Sequence, residues 1–98
     1  MIKVHFHTLA KPTTIGKVML CAGTRACHVY SDVGLNELAE WAKRSHVPKE
    51  WYHDDDTLKH YDLWGGVMKR LWTTGTVVDN RQFALDLHRI KQECTKKQ

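Results

Sequence analysis

The sequence predicts a small α/β domain, built on a sheet of three to four mostly parallel strands with about three helices. Two observations lead to this class. Apolar residues alternate with polar ones in some short segments, as in strands, and recur every three to four residues in others, as in amphipathic helices. The segments follow in the order strand, uncertain strand, strand, helix, loop, helix, strand, helix. Such alternation favours parallel strands covered by helices.

The first third of the chain is predicted to hold the first strands. Residues 2–7 alternate apolar and polar side chains, which predicts a half-buried strand with His5 and His7 on one face. Residues 17–22 contain a short apolar run that predicts an uncertain second strand. Residues 26–30 are β-forming and predict a third.

The first helix is predicted to follow Ser31 and Asp32, which are typical N-cap residues. Free backbone N–H groups at such a helix start can bind an anion. Trp41 lies on its apolar stripe, and the helix ends before Pro48. The acidic segment 51–59 is predicted to be a loop.

A second helix is predicted over residues 63–72, with Asp62 as its cap and Trp72 on its apolar stripe. A short strand at residues 76–78 leads to the last helix, which Asp79 caps. Four side chains form the predicted buried face of this helix: Phe83, Leu87, Ile90 and Cys94.

Length and composition limit the functional classes. The 98 residues predict one domain over 1–98, with 92–98 as a frayed tail. The net charge of +4 favours an anionic partner, but no dense basic face or known motif indicates a specific nucleic acid. Three cysteines without a C-x-x-C pair, no secretory signal and no membrane-length apolar run predict a cytoplasmic protein. Small chains often complete ligand sites between subunits, so a homo-oligomer is expected.

Two short blocks of the sequence are similar to a known family. Residues 26–32 read ACHVYSD and residues 60–63 read HYDL, with Glu37-Leu38 and the run VPKEWY at 47–52 between them. This pattern resembles the DUF4031 family, small proteins of bacteria and their phages. The resemblance implies the order of fold elements and the importance of the two blocks, but no activity. It also raises the expectation of a phage-encoded protein acting in the host cytoplasm.

The chain departs from that family at its first strand. The family commonly opens with a Val-Tyr-Val-Asp-Asp type strand, whereas this chain has His5 and His7 there. If the family uses those carboxylates on a metal, this protein lacks them or substitutes the two histidines. No cofactor is favoured, and a divalent metal with His5 and His7 as candidate ligands stays open.

His28, His60 and Asp62 are the candidate catalytic group, on the expectation that the loop before the second helix folds over the sheet rim. Two histidines can act as base and acid on a phosphodiester, and a carboxylate can fix the histidine tautomer. The alternative is that His28 is a hydrogen-bonded core histidine and Asp62 only a helix cap.

The predicted function is binding of a phosphate-bearing ligand such as a nucleotide or a cyclic-nucleotide signal. The alternatives are a histidine-based phosphodiesterase acting on such a ligand, and an adaptor domain without a small ligand. The aromatic residues beside the loop suit either base stacking or a subunit interface. The candidate ligand-binding residues are Arg25, Ser31, Asp32, Trp51, Lys59 and Tyr61.

Overall fold

A sheet of five strands and a separate two-stranded hairpin form the frame of the protein. The structure is a computed structural model that describes the backbone of residues 1–54 and 58–96 and the side chains of residues 1–54 and 58–90. The strands are β1 (Ile2–Thr8), β2 (Thr13–Ile15), β3 (Val18–Leu20), β4 (Arg25–Ser31), β5 (Tyr52–Asp54), β6 (Lys59–Trp64) and β7 (Thr76–Val77). The helices are α1 (Leu35–Arg44), α2 (Gly65–Leu71) and α3 (Asn80–Lys96). The predicted α/β class is confirmed.

The large sheet is mostly antiparallel, so the prediction of a mostly parallel sheet with three to four strands is wrong. Its order is β5-β6-β4-β1-β7, and the uncertain second strand belongs instead to the β2–β3 hairpin. β4 pairs antiparallel with both β1 and β6, and β5 pairs antiparallel with β6. Within the described residues, the β1–β7 pair is the parallel one.

The error has a specific cause in the segment 51–64. Helix α1 does join two strands that run in the same direction, β4 and β5, and α2 joins the parallel strands β6 and β7. These parallel partners are not neighbours, because β6 returns from β5 and inserts between β5 and β4. The predicted loop therefore contains the strand β5 and the start of the strand β6.

The apolar face of the sheet carries α1 and α2. Strand alternation places the side chains of Val4, Cys27 and Leu63 on this face, and each is fully buried. Trp41 lies among them at 3% exposure, and its indole N–H donates to Thr74 Oγ1 at 2.8 Å. The core on this side is an ordinary apolar interface between sheet and helices.

The opposite face of the sheet is covered in part by α3. Lys3 and Tyr30 pair across β1 and β4, and both donate to Asp86 Oδ2 of α3, at 2.8 and 2.6 Å. Asp79 accepts the backbone N–H of Gln82 at 2.8 Å, which fits its predicted role as the helix cap. This face is held by polar contacts as well as by apolar packing.

Three further local predictions are compared with the structure below. Asp62 is not a helix cap: His60, Tyr61 and Asp62 lie inside β6, and α2 begins later, at Gly65. Helix α3 continues to Lys96, into the segment predicted as a frayed tail. The side chain of Cys94 lies outside the described residues, as does most of the acidic run at 54–56. Among the described residues, no helix has the length and apolar character that a bilayer crossing requires.

Candidate functional site

Histidines from four strands meet on the face of the sheet that α3 partly covers. Cross-strand register places His5 opposite His28, and His28 opposite Asp62. His53 lies opposite His60 in the β5–β6 pair. His7 and His60 are two residues from His5 and Asp62, so strand alternation puts them on the same face. We call the set His5, His7, His28, His53, His60 and Asp62 the histidine face.

Asp62 is the centre of this arrangement. His28 Nδ1 lies 2.8 Å from Asp62 Oδ1, and His60 Nε2 lies 3.4 Å from the same oxygen. His53 Nε2 lies 3.0 Å from the other oxygen, Oδ2. Asp62 itself is 7% exposed. A buried carboxylate thus has three imidazoles within ion-pair distance, one on Oδ2 and two on Oδ1.

Asp62 stays ionised in this environment. Burial raises the pKa of its carboxyl group, but hydrogen bonds from His28 and His60 outweigh burial and hold the pKa well below its usual range. Because the ionised carboxylate only accepts hydrogen bonds, the ring of His28 donates Nδ1–H to Asp62 Oδ1. The other ring nitrogen of His28 then faces away from the carboxylate.

The orientation of His60 calls for a cation next to Asp62. His60 Nδ1 lies 2.9 Å from the carbonyl oxygen of Leu58, which can only accept, so this nitrogen carries the proton. A neutral ring then presents the lone pair of Nε2 towards Asp62 Oδ1, so the hydrogen bond from His60 to Asp62 requires a ring protonated on both nitrogens. Two acceptors that face each other at low exposure repel unless a proton or a metal ion lies between them.

His53 also places a ring nitrogen next to Asp62, at the other carboxylate oxygen. Its Nε2 approaches Asp62 Oδ2 closely, yet this buried nitrogen has no hydrogen bond, because the ring does not point along the contact. Its ring stacks on His60 at 5.2 Å between centroids. His53, His60 and Asp62 therefore form a group of potential ligand atoms within 4.8 Å of one another.

Sequence reasoning missed His53, because the segment 51–59 was interpreted as a polar loop. One signal was present: Trp51 and Tyr52 are residue types common in strands, and a run of aspartates, which favours turns, separates them and His53 from the block at 60–63. The antiparallel β5–β6 pair places His53 opposite His60.

His7 and His28 form a second group with Asp62, again within 4.8 Å. Their rings stack at 4.0 Å between centroids. His7 Nε2 is buried without a hydrogen bond. Burial and the neighbouring His28 lower the pKa of His7 to about 4, so its ring is neutral at pH 7.

His5 is held against α3 by two side-chain contacts. Its Nε2 donates to Asn80 Oδ1 at 2.7 Å, and its ring stacks on Phe83 at 3.9 Å. Its Nδ1 is buried without a hydrogen bond. Of the two candidate ligands in β1, His7 and not His5 belongs to a described ligand group.

Two histidines and one carboxylate are a donor set that binds Zn²⁺ and Fe²⁺ in catalytic sites. Structural metal sites are closed by four protein ligands, whereas catalytic sites keep a position for water or substrate. Here the side chains of His28 and His53 are 23% and 35% exposed, one on each side of Asp62. The arrangement can therefore hold a metal ion that solvent and a ligand reach.

The predicted ligand-binding residues are not brought together around the histidine face. Asp32 pairs with the Met1 amine and with Lys3, at 2.9 and 3.4 Å, while Ser31 donates to Glu37. The remaining four lie elsewhere: Arg25 over the Phe6 ring, Lys59 beside Asp54, Tyr61 against Tyr52 and Trp41, and Trp51 against Trp64.

Comparison with known proteins gives one match. A family model described as a protein of unknown function, DUF4031, matches residues 16–91. No curated protein matches the chain. No solved structure matches it either.

Proposed function

The chain belongs to the DUF4031 family, a family of unknown function, and from its histidine face we propose that it is a metal-dependent hydrolase of a phosphate-bearing ligand. The observation that carries this proposal is the close approach of His53 Nε2 and His60 Nε2 to the two oxygens of Asp62, at 3.0 and 3.4 Å. A divalent cation bound by His53, His60 and Asp62 would give both ring nitrogens and the carboxylate a partner at once.

A proton on His60 is the competing explanation, and two facts favour a metal ion. One proton on His60 would leave His53 Nε2 still buried without a hydrogen bond. A single ion can be ligated by both rings and by the carboxylate, since the ligand atoms lie within 4.8 Å of one another. Imidazole and carboxylate ligands suit first-row transition metals.

The substrate class rests on charge and on chemistry. The chain carries an excess of four positive formal charges, which favours an anionic ligand. A bound divalent ion polarises a phosphoryl oxygen and lowers the pKa of bound water towards neutrality. In the hydrolysis of a phosphodiester, the water oxygen forms a new bond to phosphorus and one ester P–O bond breaks. One proton of the water goes to the released alcohol.

The chain's own residues would have defined tasks. Leu58 O accepts from Nδ1 of His60 and so fixes the ring with Nε2 directed towards Asp62. His28 donates to Asp62 Oδ1 and holds the carboxylate in place. The stacking of His53 on His60 aligns the two rings on one side of Asp62.

Hydrolysis of bis(p-nitrophenyl) phosphate and of a panel of cyclic and linear nucleotides tests the proposal. Protein stripped with a chelator and reloaded with Zn²⁺, Mn²⁺ or Fe²⁺ is compared with stripped protein. We expect turnover with a loaded ion, and a loss of at least about 100-fold for Asp62→Asn. The matched control is His46→Asn, because His46 is an exposed histidine with a φ of 57°, which asparagine tolerates.

Two results would overturn the proposal. Equal turnover by stripped and loaded protein would remove the metal from the reaction. Tight binding of a nucleotide that is recovered unchanged would instead support the sequestering function that the sequence predicts.

A further inference from the structure

The ligand atoms of the histidine face fall into two groups that share one residue. His53 and His60 come from neighbouring strands β5 and β6, and His7 and His28 come from neighbouring strands β1 and β4. Each pair forms a group of three with Asp62, within 4.8 Å. The carboxylate lies between the pairs, because β6 is flanked by β5 on one side and β4 on the other.

We propose that Asp62 bridges two divalent metal ions, one ligated by His53 and His60 and the other by His7 and His28. This inference rests on the proposed function, which requires only the first ion. One histidine of each pair lies on a different oxygen of Asp62, His28 on Oδ1 and His53 on Oδ2, and His60 lies 3.4 Å from Oδ1. Ions bridged by one carboxylate lie about 3.5–4 Å apart, the spacing of two-metal phosphatases and nucleases.

An unsatisfied nitrogen supports the second ion independently of the first. His7 Nε2 is buried without a hydrogen bond and sits beside His28 in a close ring stack. A buried nitrogen without a partner lowers stability, and ligation of an ion removes this cost.

Binding of the second ion would remove one proton from the His28 ring. Its Nδ1–H now donates to Asp62 Oδ1 at 2.8 Å. The second ion takes the place of that proton, so that Nδ1 and the carboxylate oxygen become ligands of one cation. Loading this site therefore releases a proton to solvent, as expected when a metal displaces a hydrogen on its ligand.

The charge of the double site defines the ligand more narrowly than a single ion does. Two divalent ions against one carboxylate leave a net charge of +3, with neutral imidazoles as the remaining ligands. Such a centre needs anions to complete it, and a bridging hydroxide together with a phosphate ester meets that need. The double site thus accounts for a phosphate-bearing substrate without help from surface lysines or arginines.

Titration of stripped protein with Co²⁺ tests the double site. Native mass spectrometry counts ions per chain, and electron paramagnetic resonance reports their separation. We expect saturation at two ions per chain. The second equivalent should reduce the signal per cobalt, because two spins that share a carboxylate couple magnetically.

Variants on each side of Asp62 separate the two ions. His7→Gln and His53→Gln should each bind one ion and give an uncoupled signal, whereas Asp62→Asn should bind neither. His46→Asn should keep two. Circular dichroism establishes that each variant is folded, and His7→Asn replaces His7→Gln if the latter is not.

The outcomes distinguish this inference from the function on which it rests. Saturation at one ion, with hydrolysis intact, overturns the double site and leaves the metal-dependent hydrolase standing. Two ions without spin coupling also overturn it, because they would occupy separate places. No ion retained by wild-type protein overturns both.

Discussion

The two faces of the sheet bury different kinds of side chain. On the apolar face, Val4, Cys27 and Leu63 lie under α1 and α2 with no polar atom to satisfy in their side chains beyond a thiol. On the opposite face, a buried carboxylate and several imidazoles lie beside and below α3. Buried polar groups lower stability unless they are fully paired. The apolar face therefore supports the fold, and the histidine face carries a cost that points to function.

Adjacent residues in β6 show the contrast most sharply. Asp62 and Leu63 are consecutive, both buried, and point to opposite faces. Polar clusters that retain unsatisfied nitrogens are unusual in a core this small. Among the side chains that the structure describes, the three such nitrogens, in His5, His7 and His53, all lie on the histidine face.

Leu63→Ala is expected to give the largest loss of stability. Leu63 is fully buried among the apolar side chains, so truncation leaves a cavity and lowers the free energy of unfolding by about 2–5 kcal/mol. Metal content should not change. Urea denaturation and elemental analysis check the two parts of this prediction, and a loss of metal with no loss of stability would reverse the roles of the faces.

Asp86→Asn is expected to lower stability less, and in a pH-dependent way. Burial raises the pKa of Asp86, but Lys3, Tyr30 and Gln82 outweigh it, so the pKa lies below the usual 3.8. A lowered folded-state pKa means that the stabilisation is present above the unfolded pKa and is lost as the pH falls through the folded value.

The measurement for Asp86 is denaturation of both proteins from pH 7 down to the acid range. The variant should be less stable by about 1.5–3 kcal/mol at pH 7. The difference should shrink as the pH falls below the unfolded value. A difference that is constant with pH would show that the ion pair with Lys3 is not its source.

Tyr30→Phe is expected to have the smallest effect of the three. It removes the hydroxyl that donates to Asp86 Oδ2 at 2.6 Å but keeps the buried ring, and Lys3 and Gln82 still pair with the carboxylate. The free energy of unfolding should fall by about 1 kcal/mol. Urea denaturation measures this free energy. A decrease as large as that of Leu63→Ala would mean that α3 depends on this one contact.

The sequence predicted correctly those elements whose residue pattern has a single physical cause. The alternation in β1 is produced by one buried apolar face, and Asp79 caps α3 through a local contact that short-range sequence specifies. It failed where the buried face is itself polar. His60 and Asp62 alternate with Tyr61 and Leu63 as strand residues should, but polar inward positions made the segment resemble a loop.

Long-range pairing was the other source of error. The block at 60–63 was expected to meet His28 from a loop above the rim, whereas cross-strand register in the β4–β6 pair brings them together. Helical spacing placed Trp41 and Trp72 in the core alike. Helix α2 ends at Leu71, and the following turn leaves Trp72 41% exposed, with its edge against Phe6.

The stabilising effect of zinc on thermal unfolding tests most directly the division of labour between the two faces. An ion that binds only the folded state raises the unfolding midpoint. We predict that zinc raises the midpoint of Leu63→Ala by as much as that of wild type, although it starts lower, and that it does not raise the midpoint of Asp62→Asn. An equal rise in Asp62→Asn and wild type would contradict the account, because the ion would then bind away from the histidine face.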